Sequence, residues 1–237
     1  DQSDVFMNRS GGLFETKKTS FFGGGSDLFD NQSGATVLAA TNGAKAESSS
    51  FQGLERFKNR GLISLIDGGV GDTFTIANTP GGKNLSYDGG GQLSVDASLG
   101  SPGSKSDSFI IDGNVSGQTK VTVNDTQTGH GSFEAKGAKV VIVTGKTSSA
   151  NNFVLEGGPI NKGLFTYDLF FTPTGSGFWS FKSFANGSAY TLPKLLTAAQ
   201  DMWHQTSATW FDRTADLRVV LNRDSVPVYD DGSKSLG

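Results

Sequence analysis

Two histidines, His130 and His204, are the only imidazoles in the 237 residues, and there is no cysteine. Nucleophilic catalysis would need a serine activated by one of these rings. Neither has a second histidine close in sequence, and no G-x-S-x-G elbow is present. His130 lies in Gly129-His130-Gly131, a turn phrase, and His204 adjoins Trp203. Both are read as surface or packing residues. The lack of cysteine removes thiolate nucleophiles, zinc-thiolate sites and disulfide scaffolds together. It also suits a chain that crosses an oxidising space unfolded, because no premature disulfide can form.

Paired carboxylates are the next candidates. Asp67 with Asp72, and Asp107 with Asp112, could supply the two facing acids of glycoside chemistry. All four adjoin turns, where an aspartate bonds its own backbone, and that role is assigned to them. Gly23-Gly24-Gly25-Ser26-Asp27-Leu28-Phe29 partly matches a calcium-binding nonapeptide. Such a site needs stacked copies sharing each ion, and one imperfect copy reads as a tight turn. Aromatic enrichment over 153–184 could form a sugar- or base-stacking face, but core packing accounts for it. No catalytic residue, cofactor or metal is expected.

The elements that carry these residues are of two kinds. Residues 188–231 contain no glycine, although the chain has 33. Upstream, Leu62–Ile66, Thr73–Ile76, Gln92–Asp96 and Thr119–Val123 are short runs bounded by Gly, Asn and Asp, which reads as all-β. The pattern suits a β-solenoid, whose coils stack apolar residues inward, and it would suit a sandwich similarly. Lys139–Val143, Asn152–Glu156, Leu164–Phe171 and Gly177–Phe181 are longer and more aromatic. They read as an antiparallel cap over the end of the stack, with Thr172–Gly177 as a hairpin-like turn.

Downstream, 193–221 reads as one helix, with Pro193 in its first turn. Leu195, Leu196, Ala199, Met202, Trp203, Thr206, Trp210, Leu217 and Val220 follow helical spacing, and Trp203, Trp210 and Leu217 share one stripe. At 1.5 Å per residue the helix would be roughly 43 Å long. That is enough to thread a membrane β-barrel about 25 Å tall in its apolar band.

Composition bounds the remaining classes. Only 35% of residues are hydrophobic and 18% charged, with a net charge of −3. The length fits one large domain, or one with an appendage. The charge argues against a nucleic-acid footprint and against a polybasic membrane surface. No apolar run reaches the roughly 18–20 residues of a membrane-spanning helix. Asp1-Gln2-Ser3-Asp4 is not a signal peptide, so an exported form of this chain would be a processed or excised piece.

The order of these regions resembles a known family. A Gly-rich β region is followed by the aromatic stretch ending in Gly177-Phe178-Trp179-Ser180-Phe181-Lys182-Ser183. Then come Trp203-His204, Ser207, Trp210 and Asp212-Arg213. This resembles the C-terminal passenger region of bacterial autotransporters: β-helix stem, autochaperone region and linker helix. Gly68–Ile76 and Ser106–Gly113 are similar to recurring solenoid phrases of that family.

The resemblance implies a right-handed parallel β-helix with an aromatic antiparallel cap and one long C-terminal α-helix. It divides the chain into a stem at 1–132, a cap at 133–192, a linker helix at 193–221 and a flexible tail at 222–237 leading to an absent barrel. It implies a non-enzymatic passenger of type V secretion, displayed at the cell surface and anchored at the bacterial outer membrane by its parent's own C-terminal β-barrel. Barrel strands do not follow Gly237, so the chain is read as a passenger piece. The cap would nucleate folding during secretion through Phe165, Tyr167, Leu169, Phe171, Phe178, Trp179 and Phe181. Trp203, Trp210, Asp212 and Arg213 would dock the helix in the barrel. Asp212 and Arg213 would either pair with each other or meet the barrel wall. The alternatives are an adhesin whose β surface binds a host or glycan surface, and a β-helical polysaccharide-cleaving enzyme. Asn151-Asn152, the only Asn-Asn pair, lies in the β region, so the release cleavage known in that family is not carried over.

Overall fold

The computed structural model describes residues 2–43, 45–79, 82–100, 103–146, 148–175 and 177–223. Most of the expected tail at 222–237 therefore lies outside the described residues. The chain divides into two compact units, Asp1–Ser188 and Ala189–Gly237.

The first unit is a stack of three-strand coils. The first coil holds β1 (Val5–Asn8), β2 (Leu13–Glu15) and β3 (Thr19–Phe21). The second holds β4 (Leu28–Asn31), β5 (Thr36–Leu38) and β6 (Ser48–Gln52). The third holds β7 (Arg56–Asn59), β8 (Leu62–Ser64) and β9 (Thr73–Ala77). The fourth holds β10 (Leu85–Gly89), β11 (Gln92–Ala97) and the first half of β12 (Ser108–Gly117). The second half of β12 starts a fifth coil, completed by β13 (Thr119–Asp125) and β14 (Ala138–Val143). After a short 3-10 turn at Ala150–Asn152, β15 (Phe153–Leu155) adds one more strand to the second face.

Each strand pairs in parallel with its equivalent one coil away, as in Val5 with Leu28 and Leu28 with Arg56. A sandwich built from hairpins would pair antiparallel, so the parallel ladders decide for the solenoid. β12 passes from the third face to the first without a break, pairing β9 through Ser108–Asp112 and β10 through Gly113–Gly117. The corner needs glycine: a methyl on Gly113 would sit 2.0 Å from Leu85 O.

Alternation sets what faces inward. In β4 and β7 the second and fourth residues, Phe29 and Asn31, then Phe57 and Asn59, are buried. The phenylalanine rings stack as a column: Phe6 to Phe29 at 5.0 Å, Phe29 to Phe57 at 5.1 Å, Phe57 to Tyr87 at 5.9 Å. Each such ring gains roughly 1.5–3 kcal/mol by burial. The asparagines beside them form a ladder. Asn8 Nδ2 donates to Asn31 Oδ1 at 3.0 Å, and Asn31 Nδ2 to Asn59 Oδ1 at 2.8 Å. Asn59 Nδ2 reaches the Tyr87 hydroxyl, which shares a proton with Thr119 Oγ1 at 2.9 Å. Burial pushes the Tyr87 phenol up to about 12, so it stays neutral.

The parallel stack ends at β14 and β15. An antiparallel unit follows: β16 (Ile160–Lys162), β17 (Phe165–Thr172) and β18 (Phe178–Ala185), with β18 laid along β14. The antiparallel cap is thus smaller than expected. Ala138–Val143 and Phe153–Leu155 belong to the coils, because their ladders to β12 and β13 are parallel.

The second unit is formed by α1 (Gly187–Arg223). The helix starts ahead of the expected Pro193 because Asn186 Oδ1 accepts the Ser188 N–H at 3.0 Å, an N-terminal cap. Pro193 therefore sits inside the helix rather than in its first turn. Thr197, Thr206, Thr209 and Thr214 each turn their hydroxyl back onto the carbonyl four residues earlier. Among the described residues no helix is long and apolar enough to cross a membrane.

Candidate folding nucleus

Six of the seven expected nucleus residues share one face of the cap. Tyr167, Trp179 and Phe181 are buried, and Phe165, Leu169 and Phe171 pack against them and the coil core. Register explains this. In the β17–β18 hairpin Phe171 lies opposite Trp179, and Leu169 opposite Phe181, so alternate residues of both strands point the same way. Phe178 falls out of phase. It is half-buried, with Lys139 Nζ 4.5 Å over its ring.

Trp179 is the junction. Its ring meets Phe171 at 4.7 Å and Phe153 edge-on at 4.8 Å, and its Nε1 donates to Ala150 O at 3.3 Å. Phe153 in turn stacks on Tyr87 at 6.1 Å. The aromatic column from Phe6 thus runs without interruption into the cap. Phe153 was not among the expected nucleus residues, although its strand was identified.

Polar groups fix the same junction. The Tyr167 hydroxyl donates to Ser132 O and accepts the Ser132 N–H, both at 2.8 Å. Ser183 Oγ donates to Ser132 O at 2.7 Å and accepts the Glu134 N–H at 2.7 Å. Glu134 is buried, and its Oε2 accepts the N–H groups of Gly103 and Ser104 while Oε1 accepts that of Gly137. Burial pushes this carboxyl up, but backbone donors from Gly137, Gly103, Ser104 and Lys136 together hold it below its ordinary value. Glu134 therefore ties the cap-proximal loop to the coil before it. The sequence reading did not single it out.

The aspartate pairs do similar work between coils. Asp67 bonds its own Gly69 N–H, as expected of a turn residue, and also accepts from Asn42 and Gly43 one coil earlier. Asp72 accepts the Glu47 N–H, and Asp112 accepts the Thr144 hydroxyl. Asp107 accepts three backbone N–H groups, from Gly71, Asp72 and Asp96. Burial drives its carboxyl up to about 7 against the pull of those donors. Asp67 shows the own-backbone role directly. Asp72, Asp107 and Asp112 also reach a neighbouring stretch of chain, because stacking brings donors of other segments beside them.

Asp27 Oδ1 accepts the Asp4 N–H at 2.7 Å, a contact between coils. Among the described residues no group of three His, Cys, Asp or Glu could hold a metal. His130 and His204 are exposed, and His204 packs on Trp203 at 5.2 Å. On α1, Trp210 and Arg213 line one open concavity with Gln205, Thr206 and Thr209, and Trp203 and Trp210 line another with Phe211. Asp212 and Arg213 form no ion pair with each other, and Trp210 packs edge-on against Phe211 at 5.2 Å.

The Asn ladder was missed as well. Its signal lies in the sequence as a recurring phrase: Phe6-Met7-Asn8, Phe29-Asp30-Asn31, Phe57-Lys58-Asn59.

Comparison with known proteins bears on this arrangement directly. Residues 72–169 match the family model Autochaperone Domain Type 1. That stretch runs from the end of the third coil into β17. It contains Phe165, Tyr167 and Leu169 and stops before Phe171, Phe178, Trp179 and Phe181. Over 161 residues the chain is 34% identical to the probable autotransporter YfaL of Escherichia coli (strain K12), a match taking in 63% of this chain and 12% of that relative. The chain spans about an eighth of the relative's length. The first match is to an autochaperone segment, and the second is to part of a probable autotransporter.

Proposed function

We propose that this chain is a non-enzymatic passenger stem whose C-terminal cap nucleates folding during secretion across the outer membrane. In the parent protein it is displayed at the cell surface, and its partner is the parent's own C-terminal β-barrel. The single observation that carries this reading is the junction at Trp179, where the antiparallel cap closes the parallel stack around a buried ring.

The mechanism is physical. A parallel coil is stabilised mainly by its neighbour, so an isolated coil is poorly stable. The β17–β18 hairpin has local pairing and needs no previous coil. Once formed, it supplies β18 as a template for β14, and Trp179 as a template for Phe153. Each earlier coil then stacks on the one after it, and folding advances from about residue 185 toward residue 1. A folded segment cannot slide back through a pore. Stacking outside the membrane therefore rectifies the chain's diffusion where no nucleotide is at hand. Within this reading Trp203, Trp210, Asp212 and Arg213 contact the barrel lumen.

Surface display of the full parent tests the role. Trp179→Ala should lower display and raise proteolysis of the emerging passenger, while the barrel still inserts. Normal display in that variant would contradict the nucleating role.

A further inference from the structure

The corner between the first and second faces changes length along the stack. It takes four residues in the second coil, 32–35, but two in the third, 60–61, and two in the fourth, 90–91. The short corners need glycine: a methyl on Gly61 would sit 2.4 Å from Ala35 O, and one on Gly91 2.1 Å from Gly61 O. The step from the long corner to the short ones leaves an open notch of about 410 Å³. Ser33, Thr36, Arg60, Leu62, Gln92 and Lys120 turn side chains to it.

Charge sets this notch apart. Arg60 and Lys120 line it, and among the described residues no carboxylate does, in a chain of net charge −3. Each cation is held by an acid outside the lining. Arg60 Nη2 donates to Asp88 Oδ2 at 2.7 Å, and Lys120 Nζ donates to Glu156 Oε1 at 3.4 Å. Glu156 also accepts from Gln92 Nε2 at 3.2 Å. Arg60 Nη1 is fixed further by the carbonyls of Asn59, Asp88 and Gly89, at 3.1–3.2 Å. These contacts occupy one end of the guanidinium. Its Nε–H has no protein partner among the described residues, and Nη2 keeps a second hydrogen. Together they form an edge that a planar carboxylate can meet with both oxygens.

We infer that this notch binds a carboxylate-bearing saccharide, a hexuronate unit of an acidic glycan. The ligand carboxylate meets the free edge of Arg60 and the Lys120 ammonium. The sugar hydroxyls exchange hydrogen bonds with Ser33, Thr36 and Gln92, and a C–H face of the ring rests on Leu62. An inorganic anion would use the two cations alone and leave the hydroxyl-bearing wall idle. The ligand is held rather than cleaved, because glycoside hydrolysis needs a pair of acids at the bond and none lines the notch. The inference rests on the notch and is independent of the nucleating role.

Calorimetric titration of the whole chain with trigalacturonate tests it. The buffer holds about 0.1 M salt, where exposed charges more than roughly 10 Å apart are largely screened. The methyl ester of the same trimer and inorganic phosphate are the comparison ligands. Lys120→Gln removes a notch charge, and Thr36→Glu places a carboxylate in the notch. Lys58→Gln removes the same charge from β7, outside the notch. Melting temperatures show that the variants are folded, and two notch variants keep the test open if one is not. Trigalacturonate should bind, and the ester should bind about tenfold more weakly or less. Lys120→Gln and Thr36→Glu should each weaken binding by about tenfold or more, as loss of a charge-assisted hydrogen bond does. Lys58→Gln should change nothing. Absence of binding at millimolar trimer overturns the inference, and so does equal binding of the ester. It is also overturned if Lys58→Gln weakens binding as much as Lys120→Gln, or if phosphate displaces the trimer at equal concentration.

Discussion

Trp179 pairs with Val141 where the coil strand β14 meets the antiparallel strand β18. On one side of β14 the ladder is parallel, with Phe109 opposite Val141, and on the other it is antiparallel. The register shifts between Lys139 and Val141, as at a β-bulge. The side chain at that point closes the core. Trp179 touches Phe153 from the last coil and Phe171 from the hairpin. A single ring therefore couples the two kinds of β-structure.

Glu134 should be worth more than a loop carboxylate ordinarily is. Glu134→Gln leaves one oxygen where two accept from Gly103, Ser104 and Gly137, and the new amide faces a donor. A loss of about 1–3 kcal/mol is expected near neutral pH. Its folded-state pKa is depressed, so the stabilisation is present above the ordinary value of 4.5 and is lost as pH falls through the folded value. Urea unfolding of both proteins at neutral and acid pH checks this. A gap that does not shrink in acid would show that Glu134 acts through shape rather than charge.

Asp107 should do the opposite. Its folded-state carboxyl is raised from 3.8 to about 7 by burial, and Asp72 beside it is raised by burial too. The unfolded chain releases these protons first as pH rises. Stability from Asp107 is therefore full below about 3.8 and is lost as pH climbs through about 7. The melting temperature should fall between pH 5 and pH 8. Asp107→Asn should flatten that slope, whatever it does to the absolute value, and equal slopes would contradict the assignment.

The helix should be the first point of attack. Trp203, Trp210 and Leu217 are exposed along α1, and a lone helix in water is only marginally stable. Limited proteolysis should cut between about residues 190 and 223 before it touches the β unit, leaving a fragment that ends near Ser188. Equal resistance along the chain, in a protein shown to be monomeric, would contradict this.

Much of the architecture was legible because glycine and periodicity speak locally. The strands at Leu62, Thr73, Gln92 and Thr119, and the helix after the last of the closely spaced glycines, all follow from short-range pattern. Coil register did not, because successive Asn residues of the ladder lie 23 and then 28 residues apart. An uneven repeat hides its own phase. The inward asparagines were equally hidden, since Asn ordinarily marks a turn and only a stacked neighbour makes it a core residue. Strands β14 and β15 read as cap because they are apolar, but what decides their place is pairing with β12 and β13, which is non-local. In the cap, Tyr167, Trp179 and Phe181 were identifiable as large residues in alternating strands. Phe178 was not separable from them, because adjacent aromatics leave the facing side undecided until register is known.

Refolding kinetics of Trp179→Ala against Phe29→Ala test the account most directly. Both rings are almost fully buried, and truncating either should cost about 3–5 kcal/mol. They differ in place: Trp179 lies in the cap and Phe29 in the second coil. If the cap is the nucleus, Trp179→Ala slows refolding of the whole chain. Phe29→Ala then mainly speeds unfolding of the coils near β4 and leaves the refolding rate nearly unchanged. If Phe29→Ala slows refolding as much as Trp179→Ala, or more, folding does not start at the cap and the nucleating role is wrong.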